Sequence, residues 1–393
     1  MSSGSVHERL SILLTVHHSL ESGTGAAGAT LALAAELQDR GHRVEVVGFD
    51  DLRRRRGATL DAIAFPHHVA RAVGTRLQRG DVDVVDASSG DLAYLTAGRL
   101  RAGSAAVFTR SHGLEQLASE RRRRGARAGE LELRWRYAAY HGGPRLWEVA
   151  RSFKVADGAL LLSDAEERFA AERLGIPAAR LWRTAPVVDT RVRRLPRAPR
   201  RDVLVLGPAS WRKGGDVAIR VLESLLRADP TTTVTWHGLA DVEAVRVALA
   251  DDVRDRADLA GPYLRADLAE LLSSHRVLLF ASRSEGLPVT LLEALRAGIA
   301  VVGADVPGVS DLLGGGAGVL VPDGHVEGMT GAVRVLLHDE ATRETCGARG
   351  AEVAAAHAPA VVVDALVAAY RSVLAAKLET GALSGQARAA RRR

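Results

Sequence analysis

A single cysteine, Cys346, stands in a chain of 393 residues. An internal disulfide is excluded, and with it a small secreted scaffold held by bridges. Lysine is almost as scarce: Lys154, Lys213 and Lys377 are three of 53 basic residues, and the rest are arginine. Aromatic residues make up only 4% of the chain, too few for the rows of stacking rings that single-stranded nucleic acids require. The longest early apolar run, Ile12 to Val16, gives way at once to His17 and His18. It is too short for a signal segment or a membrane span. A soluble, cytoplasmic protein without a nucleic-acid partner is therefore expected.

What is present fits a large globular protein: 47% of residues are hydrophobic, 25% are charged and 39 are glycine. Disorder is excluded by that hydrophobic content. At roughly 100–200 residues per domain, two or three domains are expected. The formal net charge is +6, carried by an arginine skew of the kind that GC-rich coding produces. The short runs Arg53–Arg56 and Arg121–Arg124 read first as solvated loops. The sharper reading is a patch that meets an acidic substrate or the anionic inner face of a membrane.

Short β-branched runs alternate with helix-period stretches along the whole chain. The runs fall at Ser11–Val16, Arg43–Gly48, Val82–Asp86, Ala105–Thr109, Gly158–Leu162, Leu181–Thr184, Val203–Leu206, Thr233–Trp236, Val277–Phe280, Ile299–Val302 and Gly318–Val321. Ala29–Arg40, Val217–Arg227 and Leu287–Ala297 carry the helical period between them. Gly41 and Gly298 stand where helices stop, and Asp216 stands where an N-cap belongs. This alternation predicts an α/β protein with parallel sheets covered on both faces. Between the halves lies Thr190–Asp202, an arginine-rich stretch with two prolines and no apolar period. The expected organisation is a domain over 1–189, a linker over 190–202, a second domain over 203–378 whose last helix packs back on the first domain, and a basic disordered tail over 379–393. Two such domains facing each other leave a cleft beyond the carboxyl ends of their strands, where open parallel sheets bind ligands.

Four motifs carry chemistry. Gly23–Gly28 matches G-x-G-x-x-G before a helix, with Asp50 and Asp51 after the next strand, the pattern of a dinucleotide fingerprint. The six residues His17–Ser22 separate those glycines from the strand, so a glycine loop that brings Gly25 near a substrate is the competing reading. Arg212-Lys213-Gly214-Gly215 follows a strand and opens a helix, a place that suits a diphosphate: helix N-termini offer N–H groups, and the two bases offer charge. Glu285 and Glu293, eight residues apart, offer two hydroxyl-accepting carboxylates either side of such a diphosphate. Asp81-Val82-Asp83 resembles a metal-binding D-x-D, but it opens a buried strand and reads as a strand start. His17-His18 and His67-His68 lack partners at ligand spacing, so no metal is expected.

Ser284–Leu313, SEGLPVTLLEALRAGIAVVGADVPGVSDLL, closely resembles the signature of glycosyltransferase family 4, whose members have the GT-B fold of two Rossmann-like domains. Thr109–Gly113 resembles that family's histidine loop, Leu31–Val47 its opening, Ala156–Ser163 its last N-domain strand and Pro186–Asp189 its linker entry. The resemblance implies a retaining transferase that moves a sugar from a nucleoside-diphosphate sugar to an acceptor hydroxyl, with no cofactor and no metal. It implies that Glu293 bonds the ribose and Glu285 a sugar hydroxyl. Backbone N–H groups at Gly286 and Leu287 meet sugar or phosphate, and Arg212 and Lys213 neutralise the leaving diphosphate. His112, and Glu115 beside it, would face the reacting sugar and the acceptor, a small molecule or a lipid-linked one. One departure stands out: Pro208 occupies the place where the family often has arginine, and Arg212 is the substitute at hand. Leu114–Gly143 is the least family-like stretch and is expected to shape the acceptor pocket. Two alternatives stay open, an NAD-dependent oxidoreductase using Gly23–Gly28 and a GT-B pseudo-enzyme.

Overall fold

The computed structural model describes residues 9–20, 25–52, 57–96, 98, 104–188, 195–196, 198 and 200–390. Gly23, Thr24, the Arg53–Arg56 run, Asp189 and most of the expected linker lie outside the described residues. The chain forms two compact units, Met1–Val187 with Pro359–Arg393, and Val188–Ala358.

The first unit is built on six parallel strands: β1 (Ser11–Thr15), β2 (Arg43–Val47), β3 (Val84–Ser88), β4 (Ala106–Arg110), β5 (Gly158–Leu161) and β6 (Leu181–Arg183), in the order β2-β1-β3-β4-β5-β6. The second repeats the plan with β7 (Arg201–Leu206), β8 (Val234–His237), β9 (Ala257–Leu259), β10 (His275–Phe280), β11 (Ala300–Asp305) and β12 (Val319–Pro322), in the order β12-β11-β10-β7-β8-β9. Every residue of β3, β4 and β5 is buried. A parallel strand covered on both faces has no solvent side to mark with polar residues, so continuous apolar runs predict these strands. β9 escapes that rule. Its three residues, Ala-Asp-Leu, form no apolar run and take their strand geometry from pairing with β8 at the sheet edge.

The unit boundaries differ from the expected ones. β7 starts at Arg201, inside the expected linker, and His275 of β10 pairs with it. Asp202 exchanges bonds with Thr233 there, its N–H donating to Thr233 Oγ1 at 2.8 Å and its carboxylate accepting the Thr233 N–H at 2.9 Å. The last helix, Pro359–Ala390, belongs to the first unit and continues through most of the expected tail. Alanine, leucine, glutamine and arginine in 379–390 extend a helix at little cost once packing has nucleated it, despite Gly381 and Gly385. Residues 391–393 lie outside the described residues.

Packing explains where that helix lies. Val363, Leu366, Val367, Tyr370, Val373 and Leu374 are buried, spaced three and four apart along one face. Each is worth about 1.5–3 kcal/mol when fully buried. Lys377 Nζ donates to Asp157 Oδ2 at 2.7 Å and to the Ala105 carbonyl at 2.8 Å. At the centre, the Tyr370 hydroxyl donates to Asp86 of β3, and that carboxylate also accepts from Arg110 of β4 through Nε, at 3.1 Å, and Nη2. Asp86 is 2% exposed, Arg110 7% and Tyr370 0%. Burial raises the Tyr370 hydroxyl well above its usual range, with the Asp86 charge adding to the effect. The phenol therefore stays a donor.

Removing one partner of a buried pair costs more than weakening it. Arg110→Ala, which leaves the Asp86 carboxylate uncompensated, should lower the unfolding free energy by about 3–5 kcal/mol. Tyr370→Phe, which deletes one bond to a charged group, should lower it by about 1.5–3 kcal/mol. Urea titration followed by circular dichroism measures both, and the order Arg110→Ala worse than Tyr370→Phe is the expected result.

Candidate functional site

In the second sheet the strand order reverses between β7 and β10. β8 and β9 continue on one side of β7, and β10, β11 and β12 lie on the other. The loops leaving β7 and β10 therefore part to opposite faces, and a crevice opens at their carboxyl ends. Arg212 and Lys213 lie in the loop after β7, and Ser282–Leu287 in the loop after β10. The crevice thus collects residues that the sequence separates by about seventy positions.

Lys213 Nζ donates to Glu285 Oε1 at 2.7 Å, and Arg212 Nη1 donates to Glu285 Oε2 and to the Ser284 carbonyl, both at 3.2 Å. The Glu285 side chain is 9% exposed, that of Lys213 21% and that of Arg212 41%. The Lys213 ammonium also sits 5.7 Å from the centre of the Phe280 ring, which ties it to the end of β10. Two glycines make the approach possible. At Gly214, φ is +69° and a Cβ would stand 1.9 Å from the Ala281 carbonyl oxygen. At Gly308, φ is +79° and a Cβ would stand 1.7 Å from the Gly286 carbonyl oxygen. Each lets one loop lie directly on the backbone of another, and any side chain there would force them apart.

Behind these residues stands a second arginine that sequence reasoning did not single out. Arg283 is 4% exposed at its side chain and forks onto Asp216, Nη2 donating to Oδ2 at 2.7 Å. It also donates to the Trp211 carbonyl at 3.0 Å, and its guanidinium lies 5.3 Å from the Trp211 ring centre. Burial alone would raise the Asp216 carboxyl, but the bonds from Arg283 hold it below its ordinary value. Asp216 is thus not the N-cap the sequence suggested. It lies inside the first turn of the helix Gly215–Ala228, and Gly214 holds the cap.

That helix start also departs from expectation. The Gly215 N–H donates to the Ser210 carbonyl at 3.1 Å, and the Gly214 N–H to the Trp211 carbonyl at 3.0 Å. Asp216 bonds the backbone N–H groups of Asp216 and Val217. Within the loop, the Gly214 and Gly215 N–H groups thus already have carbonyl acceptors. Gly286 and Leu287 differ. Among the described residues no backbone carbonyl accepts either N–H.

Glu293 is buried, 5% exposed, on the helix Val289–Ala297, and its Oε1 accepts from Arg265 Nη2. The loop after β9 brings Arg265 there together with Tyr263. The Gly238 N–H donates to the Gly261 carbonyl at 2.9 Å, which fixes that loop to the end of β8. Burial raises the Tyr263 hydroxyl, and the nearby Glu293 charge raises it further. Tyr263 and Arg265 lie in a sequence stretch without periodicity, so only the fold shows that they meet Glu293. The Gly308 N–H donates to Asp311 at 3.0 Å, which caps the short helix Val309–Leu313.

In the first sheet the order reverses between β1 and β3, and the polar residues again gather at the carboxyl ends. Asp91, fully buried, accepts from Thr15 Oγ1 at 2.6 Å and lies 2.7 Å from His17 Nδ1. His112 Nε2 lies 3.0 Å from Ser88 Oγ, and Ser88 Oγ donates to the Thr15 carbonyl at 3.0 Å. With the serine proton spent there, the network assigns the His112 proton to Nε2 and leaves Nδ1 as an acceptor. Burial, aided by the Arg110 charge, lowers the His112 pKa to about 3, so the ring is neutral at neutral pH. Glu166 holds this loop: it accepts from the N–H groups of Leu114 at 2.8 Å and Leu162 at 2.9 Å and from Ser111 Oγ at 3.0 Å. Glu115 accepts from Ser89 Oγ and from Arg145 Nη2, both at 3.1 Å, so it is an ion-paired residue rather than a helix cap.

Other expected residues have local work. Gly25 is the first residue of the helix Gly25–Asp39, with φ +32°. Asp50 accepts the Leu20 N–H at 2.6 Å and Asp51 the Gly48 N–H at 2.8 Å, so the two carboxylates a dinucleotide would need are spent on backbone. Asp83 accepts the Ser11 N–H at 2.7 Å at the amino end of the sheet, the end opposite the ligand face. Arg121 pairs with Glu130 at 3.0 Å, Arg123 donates to the Gly142 carbonyl at 2.7 Å, and Arg122 covers the Tyr137 ring. These three arginines of the run therefore build the 115–143 segment.

Residues 200–339 match the family Glycosyl transferases group 1. The D-inositol 3-phosphate glycosyltransferase of Kineococcus radiotolerans is 28% identical over 250 residues, which cover 56% of this chain and 58% of that protein. The phosphatidyl-myo-inositol mannosyltransferase of Mycolicibacterium smegmatis is 28% identical over 233 residues, covering 56% and 59%. The chain thus spans somewhat over half the length of these relatives. Among solved structures, the sucrose-phosphate synthase of Thermosynechococcus elongatus superposes with a TM-score of 0.73 at 17% identity, covering 94% of this chain and 100% of that one. Anabaena HepE, in complex with UDP and glucose, gives 0.61 at 15% identity over 93% and 100%. With two parallel six-stranded sheets and these neighbours, the chain has the GT-B fold, and over residues 200–339 it is similar to the glycosyl transferases group 1.

Proposed function

We propose that the protein is a retaining glycosyltransferase that moves a sugar from a nucleoside-diphosphate donor to a hydroxyl of a polyhydroxylated acceptor. The observation that carries this reading is the convergence of Arg212, Lys213 and Glu285 at the reversal of the second sheet, with Glu293 on the helix that follows. In this reading Glu293 accepts from the ribose hydroxyls and Glu285 from a hydroxyl of the donor sugar. Arg212 and Lys213, with the N–H groups of Gly286 and Leu287, meet the charge that develops on the departing diphosphate. Fixed positive charge at a leaving group is the largest single source of catalysis that such a site can offer, and the two side chains supply it without a metal. Front-face attack, with the leaving phosphate taking the acceptor proton, gives retention and needs no dedicated protein base.

The acceptor falls to the first unit. Glu115, beside the neutral His112, offers carboxylate oxygens to hydroxyl donors, and two of the relatives act by name on inositol derivatives. A cyclic polyol or its conjugate is therefore the acceptor class we assign. Thermal shift against UDP, GDP, ADP and dTDP identifies the donor base, since a ligand at a hundred times its Kd adds about 2.7 kcal/mol of stability. Transfer from the matching sugar nucleotides to inositol and its phosphate then tests the reaction, and the anomeric coupling constant of the product, equal to that of the donor, tests retention.

Two outcomes follow from named groups. Lys213→Ala should lower kcat by about 10²–10³-fold, read by release of nucleoside diphosphate in a coupled assay, with the melting temperature little changed. For His112, the folded pKa of about 3 lies below its ordinary value of 6.5. The unfolded chain therefore binds the extra proton first, and this group's contribution to stability is full above about pH 6.5 and is lost as the pH falls toward 3. NMR of the His112 ring should show no titration between pH 5 and 8, and a midpoint near 6.5 would refute the neutral assignment.

A further inference from the structure

Glu285 holds the two basic side chains that a donor diphosphate would need. Each carboxylate oxygen has its own cation, Oε1 the Lys213 ammonium at 2.7 Å and Oε2 the Arg212 guanidinium at 3.2 Å. A carboxylate gripped in this way presents to the pair what one face of a phosphate would: two anionic oxygens, each taking a charge-assisted bond. The neighbouring Arg283 is different, because Asp216 and the Trp211 carbonyl lock it in a buried position. The crevice therefore separates a structural arginine from two cations that share one loop-borne carboxylate, with Arg212 also donating to the Ser284 carbonyl.

We propose that Glu285 is an internal competitor of the donor diphosphate, holding Arg212 and Lys213 until the phosphates take them and reclaiming them when the nucleoside diphosphate leaves. This rests on the assignment of the diphosphate to Arg212 and Lys213 made above. It adds to Glu285 a role apart from bonding a sugar hydroxyl. A diphosphate carries more negative charge than one carboxylate and displaces it, but its affinity is reduced by the two bonds it breaks. The reduction acts most on the product. Cleavage of the sugar bond leaves the free nucleoside diphosphate with one more negative charge than the sugar nucleotide, so it would otherwise be the tightest-held species. Release of such products limits many enzymes, and a carboxylate in contact with both cations is placed to speed it.

Isothermal titration of the full chain with UDP, GDP, ADP and dTDP tests the proposal. For whichever nucleotide the wild type binds, Glu285→Gln should lower the Kd roughly tenfold and slow its dissociation in stopped flow. Glutamine keeps the size and removes the charge. Glu285→Ser carries the same expectation if the glutamine variant melts early. In a Lys213→Ala background the tightening should shrink by at least half, because the competitor acts through the cation it holds. An unchanged or raised Kd in a Glu285→Gln protein of normal melting temperature overturns the competitor role, while weakened binding in Lys213→Ala alone leaves the diphosphate assignment standing. A wild type that binds none of the four nucleotides overturns that assignment, and the proposal with it.

Discussion

The first unit depends on one buried carboxylate. Asp86 lies at the centre of the sheet and accepts from Arg110 on the next strand and from Tyr370 on the terminal helix. A charge in that position is tolerable only with both donors in place, so two strands and a helix more than 250 residues away in sequence are held to one geometry. The consequence reaches the ligand face. Arg110 ends β4, and His112 follows two residues later. Burial sets the neutral state of the imidazole, and the Arg110 charge lowers the His112 pKa further while Asp86 opposes it.

The second unit uses ion pairs in the same chemical form for two different ends. Arg283, 4% exposed at its side chain, meets the 60% exposed side chain of Asp216 and joins the loop after β10 to the helix after β7. Lys213 and Arg212 share one acceptor, the 9% exposed side chain of Glu285. The first pair shapes the crevice, and the second fills it with charge that a ligand can redirect. Glycines do the remaining work: Gly214 and Gly308 remove the side chains that would keep the loops from touching.

Much of this was legible in advance. The eleven runs each became a strand; β3, β4 and β5 are buried on both faces, whereas β2 and β6 are only partly buried. Glu285 and Glu293 stood out because they follow a strand end and flank a helix start beside Gly286, in a stretch that resembles a family signature. β9 was not legible, as Ala257–Leu259 has no pattern of its own. Nor were the contacts of Arg145 with Ser89 and Glu115 or of Glu166 with Ser111 and Leu114, which reach 30 to 56 residues along the chain. Asp216 misled for a related reason. Its sequence position marks an N-cap, yet a buried arginine from another loop claims it.

The sequence by itself determined the two sheets and the cast of charged residues, because hydrophobic period and local turn chemistry are properties of neighbours along the chain. The tertiary structure alone decided which charge meets which. It gave the Gly214 and Gly215 N–H groups their carbonyl acceptors and Arg265 to Glu293. It folded Arg121–Arg123 into their own segment and set Glu285 between Arg212 and Lys213. Those pairings depend on strand order and on loops meeting at a reversal point, and electrostatic energy falls with distance in space, not in sequence.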